Sequence, residues 1–129
     1  MNAPAITLPW PDPLLNPNSR AHWRPTAKAT AAARRYAWAV CNDEKPQVTP
    51  FILVRHIPPD WRLRDQGNMK DALKAYYDGI QDASGINDRE FRVHHIFAEP
   101  QKPGKVEFSF YASEQDVIAI LADNQRETP

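Results

Sequence analysis

The rhythm of apolar and polar positions changes several times along this chain, and each change marks an element. Ile6-Thr7-Leu8-Pro9-Trp10 alternates over a short span and is stopped by Pro11 and Pro13, the pattern of an edge strand. Asn16-Pro17-Asn18-Ser19 follows as a turn. From Thr26 to about Cys41 the chain is alanine-rich and carries Lys28, Arg34 and Arg35, which predicts a first helix with Thr26 as N-cap behind Pro25. After the polar turn Asn42 to Pro46, residues Val48 to Ile57 are rich in β-branched and aromatic side chains and end at Pro58-Pro59, which predicts a strand.

A second helix opens at Asp65 to Asn68. Met69, Leu73, Tyr76, Tyr77 and Ile80 recur at spacings of three and four, so they share one face, while Asp71, Lys74 and Asp78 fall on the other. Ser84-Gly85 closes that helix. Phe91 to Glu99 and Val106 to Ala112, joined through Pro100-Gln101-Lys102-Pro103-Gly104, predict a two-strand hairpin, and Glu114 to about Ala122 a terminal helix capped by Ser113. The order is β-α-β-α-β-β-α without internal repeats, a mixed α/β (α+β) fold with a mixed sheet flanked by helices.

Composition narrows the classes. A chain of 129 residues with 42% hydrophobic and 25% charged residues suits one domain over residues 1–129, with 1–5 and 123–129 expected as flexible ends. Met1 to Pro13 holds four prolines and no basic residue, unlike a secretory signal, and no apolar run approaches the ~20 residues of a membrane helix. The single cysteine, Cys41, excludes an internal disulfide. A cytoplasmic protein away from membranes is expected. Net charge is zero, which argues against bulk electrostatic coating of nucleic acid. The two halves differ, however: residues 1–64 hold nine Lys/Arg against four Asp/Glu, and residues 65–129 hold seven against twelve. This asymmetry suits a basic DNA-gripping surface beside an acidic metal site, and equally suits salt-bridged surfaces.

Two acidic positions stand where elements cross: Asp65 between a strand and a helix, and Asp88 between that helix and the next strand. Mg²⁺ takes carboxylate oxygens and keeps several waters, so Asp side chains converging from separate segments suit it. The plainer alternative is that Asp65 caps the helix and Asp88 serves a turn. Arg55, Arg62 and Arg64 lie on or after the strand that delivers Asp65, and Arg20, His22, Trp23, Arg24 and Lys28 precede or open the first helix. Such mixtures neutralise phosphates and stack on unpaired bases; the alternative is a solvated basic face with Trp23 in the core. His94 and His95 are expected to face opposite sides of a strand.

Four ordered segments resemble the RusA family of Holliday junction resolvases, endodeoxyribonucleases of the phage type. Ile6-Thr7-Leu8-Pro9-Trp10-Pro11 with Asn16-Pro17-Asn18, Arg20, His22-Trp23 and Lys28 is similar to the family's opening. Arg64-Asp65-Gln66-Gly67-Asn68-Met69 is similar to its Arg-Asp-x-Asp-Asn signature, Lys74-Ala75-Tyr76-Tyr77-Asp78-Gly79 to its lysine-bearing helix, and Gly85-Ile86-Asn87-Asp88-Arg89 to its last aspartate loop. The resemblance implies a homodimer that resolves four-way DNA junctions in recombination and repair with Mg²⁺, or Mn²⁺ in its place. By position it implies Asp65 and Asp88 as metal ligands and Lys74 as the basic residue at the scissile phosphate. It also implies a DNA contact from Arg64; Arg20, His22, Trp23, Arg24, Lys28, Arg62 and Lys70 are the further DNA-binding candidates. The family's second carboxylate falls at Gly67, so the chain departs from the pattern there. Either Asp71 or Asp78 substitutes for it, or the protein binds junctions without cutting them.

Overall fold

In the computed structural model, which describes residues 4–20 and 22–126, a four-stranded sheet is covered by helices on both faces. The strands are β1 (Ile6–Pro9), β2 (Phe51–Ile57), β3 (Arg92–Phe97) and β4 (Lys105–Tyr111), and the helices are α1 (Trp23–Glu44), α2 (Gln66–Asp71), α3 (Lys74–Ser84) and α4 (Glu114–Arg126). The mixed α+β class expected from the sequence is the class observed. The strand order is β1-β4-β2-β3, with β2 parallel to β3 and antiparallel to β4.

That order corrects the hairpin. β3 and β4 are consecutive in the chain but not paired, because β2 lies between them: Leu53 stands opposite His94 on one side and Ser109 on the other. The physical reason lies in β2 itself. Its run FILVRHI is buried on nearly every residue, as a strand with a neighbour on each side and a helix layer on each face must be. β1 alternates buried and exposed positions and pairs only with β4, the edge strand its sequence predicts.

One face of the sheet offers Ile6, Leu8, Ile52, Val54, Val106 and Phe108, all within the core formed with Ala37 and Cys41 of α1 and Leu73, Tyr76 and Ile80 of the α2–α3 segment. Burial pushes the Cys41 thiol up to about 11, so it behaves as a small apolar side chain. At Gly79 the helices α1 and α3 come into close contact. A Cβ there would lie 2.3 Å from the Arg34 carbonyl oxygen and 2.7 Å from the Ala37 Cβ, so glycine alone lets α3 rest on α1. Arg34 clamps the same crossing through Nε and Nη2 to the Asp82 carboxylate, at 2.6 and 2.8 Å. α4 packs against β2 and β4, with Val117 fully buried.

Element ends differ from the expected ones for local reasons. α1 begins three residues before Thr26: His22 is the N-cap, its Nδ1 accepting from the Arg24 amide, and Pro25 sits in the first turn, where its missing N–H costs nothing. Thr26 instead bonds back to the His22 carbonyl. The predicted second helix is two, α2 and α3, broken at Ala72 and Leu73 although the apolar periodicity runs through. Ser113 does cap α4, accepting from the Asp116 amide, but the helix continues past Ala122 to Arg126. Of the expected flexible ends, residues 123–126 lie in α4, and Ala5 donates to the Phe108 carbonyl at 2.9 Å. The rest of the expected ends, residues 1–3 and 127–129, lies outside the described residues. Among the described residues no helix is long and apolar enough to cross a membrane.

Candidate functional site

The strand β2 ends at Ile57, and the next eight residues form a pinned loop that delivers Asp65. Asp60 organises it: its Oδ1 accepts from the Arg62 amide at 3.0 Å and from Arg64 Nη2 at 2.8 Å. Arg64 Nη1 also donates to the carbonyls of Asp60 and Arg62, and the guanidinium lies 5.4 Å from the Trp10 ring centre. The Arg62 amide first, and then the Arg64 guanidinium, hold the Asp60 carboxyl below its ordinary range. Arg64, expected to contact DNA, is thus turned to the loop and to Trp10, whereas Arg62 is exposed.

Asp65 is the N-cap of α2, its Oδ1 accepting from the Asn68 amide at 2.9 Å, and its side chain stays open to solvent. Capping uses one lone pair of a carboxylate that has several, so it leaves capacity for a cation. Position 67 faces this group. A Cβ on Gly67 would lie 3.1 Å from Asp65 Oδ1, so any longer acid there would start beside the Asp65 carboxylate.

The other predicted residues meet at the start of α3. Lys74 Nζ sits between Asp78 Oδ1 at 3.2 Å and Asp88 Oδ2 at 3.1 Å. One helical turn separates Lys74 from Asp78, and the loop after α3 returns Asp88 because Gly85, at φ 79°, ends that helix and Gln81 Oε1 accepts from the Asp88 amide at 2.7 Å. The Lys74 ammonium, the nearest and largest influence, holds the Asp88 carboxyl below its ordinary value, and Asp88 and then Asp78 raise Lys74 in return. Lys74 is largely exposed, so these attractions are screened by water.

Two adjoining clefts lie beside Asp65 and Lys74. The first, about 320 Å³, has Trp10, Arg62, Leu63, Arg64, Asp65 and Asn68 among its walls; the second, about 300 Å³, includes Thr26, Thr30, Asp71 and Lys74. Asn16 and Ala72 line both. The structure therefore brings Lys74, Asp78 and Asp88 into contact, places Asp71 beside Lys74 on one cleft, and puts Asp65 on the neighbouring one. Asp78 and Asp88 line neither. Among the described residues no group of three His, Cys, Asp or Glu side chains is gathered tightly enough to hold a metal ion.

The basic and aromatic residues at the start of α1 are on the surface. Trp23 is 67% exposed, which overturns the alternative of a core tryptophan; the Arg24 guanidinium lies 5.4 Å from its ring centre and His22 tilts against it at 5.8 Å. Arg20 and Lys28 are exposed as well, and Lys70 lies over Phe97 at 6.0 Å.

Some features were not foreseen. His56 is buried against the first cleft, and its Nε2 lies 2.8 Å from His95 Nδ1, a pairing set by the parallel register of β2 and β3. Burial, then His95, pushes His56 down to about 3; burial, then Lys70, pushes His95 down to about 4. His94 points the other way, to Glu114 at 3.0 Å, as strand alternation requires. The exposure of Trp61 and Leu63 was also unforeseen, although the run Trp61-Arg62-Leu63-Arg64 was visible as an apolar and basic alternation outside any element.

Fold and site together define a mixed-sheet α+β protein in which Asp78 and Asp88 converge on an exposed lysine, Lys74, and in which the basic and aromatic residues at the start of α1 are exposed. No family model matches the chain. Over 102 residues it is 35% identical to an uncharacterized protein of Xylella fastidiosa (strain Temecula1 / ATCC 700964), a match covering 74% of this chain and 67% of that protein. The chain belongs to the family of that protein.

Proposed function

We propose that the protein is a RusA-like, Mg²⁺-dependent endodeoxyribonuclease that acts as a homodimer on four-way DNA junctions. The observation that carries this reading is the convergence of Asp78 and Asp88 on the Lys74 ammonium, with the exposed carboxylate of Asp65 on the cleft adjoining the one that Lys74 lines. Two carboxylates already share one cationic point, and hard oxygen donors of this kind suit Mg²⁺ or Mn²⁺. Asp78 is the better substitute than Asp71 for the carboxylate missing at Gly67, since Asp78 touches the same ammonium as Asp88. Asp78 and Asp88 would hold the ion, Asp65 would join them only by closing in from the adjoining cleft, and the ion would supply a polarised water and charge neutralisation at the phosphate.

The chain's own groups account for the rest. A phosphate drawing near Lys74 competes with Asp88 and Asp78 for its ammonium, so Lys74 passes from pairing carboxylates to neutralising the phosphate oxygen that departs. Trp23, Arg24 and Lys28 at the start of α1, and Arg62 on the loop after β2, would receive the backbone and unpaired bases. A two-fold dimer would present two sites to a nearly two-fold junction and so cut it symmetrically.

The test is a synthetic four-way junction incubated with Mg²⁺: paired symmetric nicks are expected, abolished by Asp88→Asn and by Asp65→Asn. Nicks that survive both changes would overturn the assignment. A second reading, junction binding without cleavage, is favoured by Gly67. It predicts salt-sensitive junction shifts with no product in Mg²⁺ or Mn²⁺, and product once Gly67→Asp restores the acid.

A further inference from the structure

We infer that the loop carrying Trp61 and Leu63 is a wedge that enters the opened centre of branched DNA, an inference that rests on the junction reading above. Trp61 is 77% exposed and Leu63 is 97% exposed, the two most solvent-open large apolar side chains described. Exposure of this kind usually follows from a loose loop, but this loop is held at both ends and across its middle. Asp60 binds the Arg62 amide and the Arg64 guanidinium, Arg64 also bonds two loop carbonyls, and the Pro58 carbonyl accepts from the Gln101 amide at 2.8 Å. Pro59 packs so closely on Gly104 that a Cβ there would lie 2.9 Å from its ring. The framework therefore holds an indole and an isobutyl group out in water rather than letting them fold back.

The chemistry around them selects the occupant. Arg62, between the two apolar side chains, is exposed and has its backbone amide, not its guanidinium, bound within the loop. Leu63 and Arg62 both line the cleft that contains Asp65. A partner must then offer flat apolar faces and anionic groups within one residue's reach of each other. Bases exposed at a branch point, with phosphates beside them, meet that requirement: an indole stacks on an unpaired base, an aliphatic side chain props a base step apart, and a guanidinium takes the adjacent phosphate. Stacked paired bases in a continuous duplex offer no such faces, so the loop favours junction over duplex.

The experiment uses the full chain and a four-way junction with 2-aminopurine at the branch point, followed by fluorescence and by competition against linear duplex. Wild type is expected to raise the 2-aminopurine signal on binding. Trp61→Ala with Leu63→Ala should abolish that rise and lower junction-over-duplex selectivity about ten-fold, the size expected for loss of one stacked base, while Trp61→Phe keeps most of both. Junction-selective wild type with an unchanged double variant overturns the wedge and leaves the junction reading standing. Wild type that prefers neither DNA overturns both. A double variant that loses junction binding only because it has changed from dimer to monomer in sedimentation assigns the loop to contact between two copies, and also overturns the wedge.

Discussion

Gly79→Ala tests the packing that sets Lys74 and Asp78 in place. The added Cβ would lie 2.3 Å from the Arg34 carbonyl oxygen, 2.7 Å from the Ala37 Cβ and 3.0 Å from the Trp38 amide nitrogen, where ordinary contact begins near 3.4 Å. Two of these atoms are backbone, so no side chain can swing aside, and α1 and α3 must separate by about 1 Å. Overpacking of this kind costs about 1 to 3 kcal/mol, and the unyielding partners put it at the upper end. Alanine returns about 1 kcal/mol through its better helix propensity, leaving a net loss of about 2 kcal/mol. For a chain of this size that lowers Tm by about 8 °C. Gly85→Ala is the control: it meets no neighbour within 4 Å but is held at φ 79°, so only the left-handed strain of about 1 kcal/mol applies. Thermal and urea melts of both variants measure the difference. Gly79→Ala as stable as wild type would refute the close crossing of α1 and α3.

His56 has a folded pKa of about 3, below its unfolded value near 6.5, so it contributes stability above pH 6.5 that is lost as pH falls. From His56 alone the loss is about 2 kcal/mol at pH 5, and urea midpoints between pH 7 and 5 should fall accordingly; a flat profile would contradict a neutral buried histidine. Tyr76→Phe removes the hydroxyl that donates to the Pro9 carbonyl at 2.7 Å and should cost about 1 kcal/mol in the same melts, with an unchanged midpoint counting against that bond. Gly67→Asp sets a second carboxylate beside Asp65, so its Tm should sit below wild type in chelator and rise with Mg²⁺ by more than wild type does; equal Mg²⁺ shifts would contradict a shared ion site.

The element types were legible because period-two and period-3.6 patterns are local. Apolar alternation placed β1, the spacing of Leu73, Tyr76 and Ile80 placed the buried face of α3, and Ser113 marked the start of α4. Pairing was less legible. The segment from Pro100 to Gly104 reads as a hairpin turn, yet the link between β3 and β4 spans β2; the apolar run Phe51 to Val54 in β2 held the signal that this strand is central. The break between α2 and α3 has no glycine or proline to announce it. At the site, Lys74 and Asp78 were legible as neighbours one turn apart, whereas the return of Asp88 to the same ammonium depends on the Gly85 turn and the Gln81 side chain, fourteen residues on from Lys74. Arg64 looked like a phosphate ligand by composition, and only the folded loop shows its guanidinium held by Asp60.

The most direct measurement maps the products of an end-labelled four-way junction incubated with the unmodified protein and Mg²⁺, with Asp88→Asn run alongside. Two nicks at symmetric positions in opposed strands, lost in Asp88→Asn, are predicted. A junction left both unshifted and uncut, or cut equally well by Asp88→Asn, would contradict the assignment of Asp65, Lys74, Asp78 and Asp88 to work on DNA.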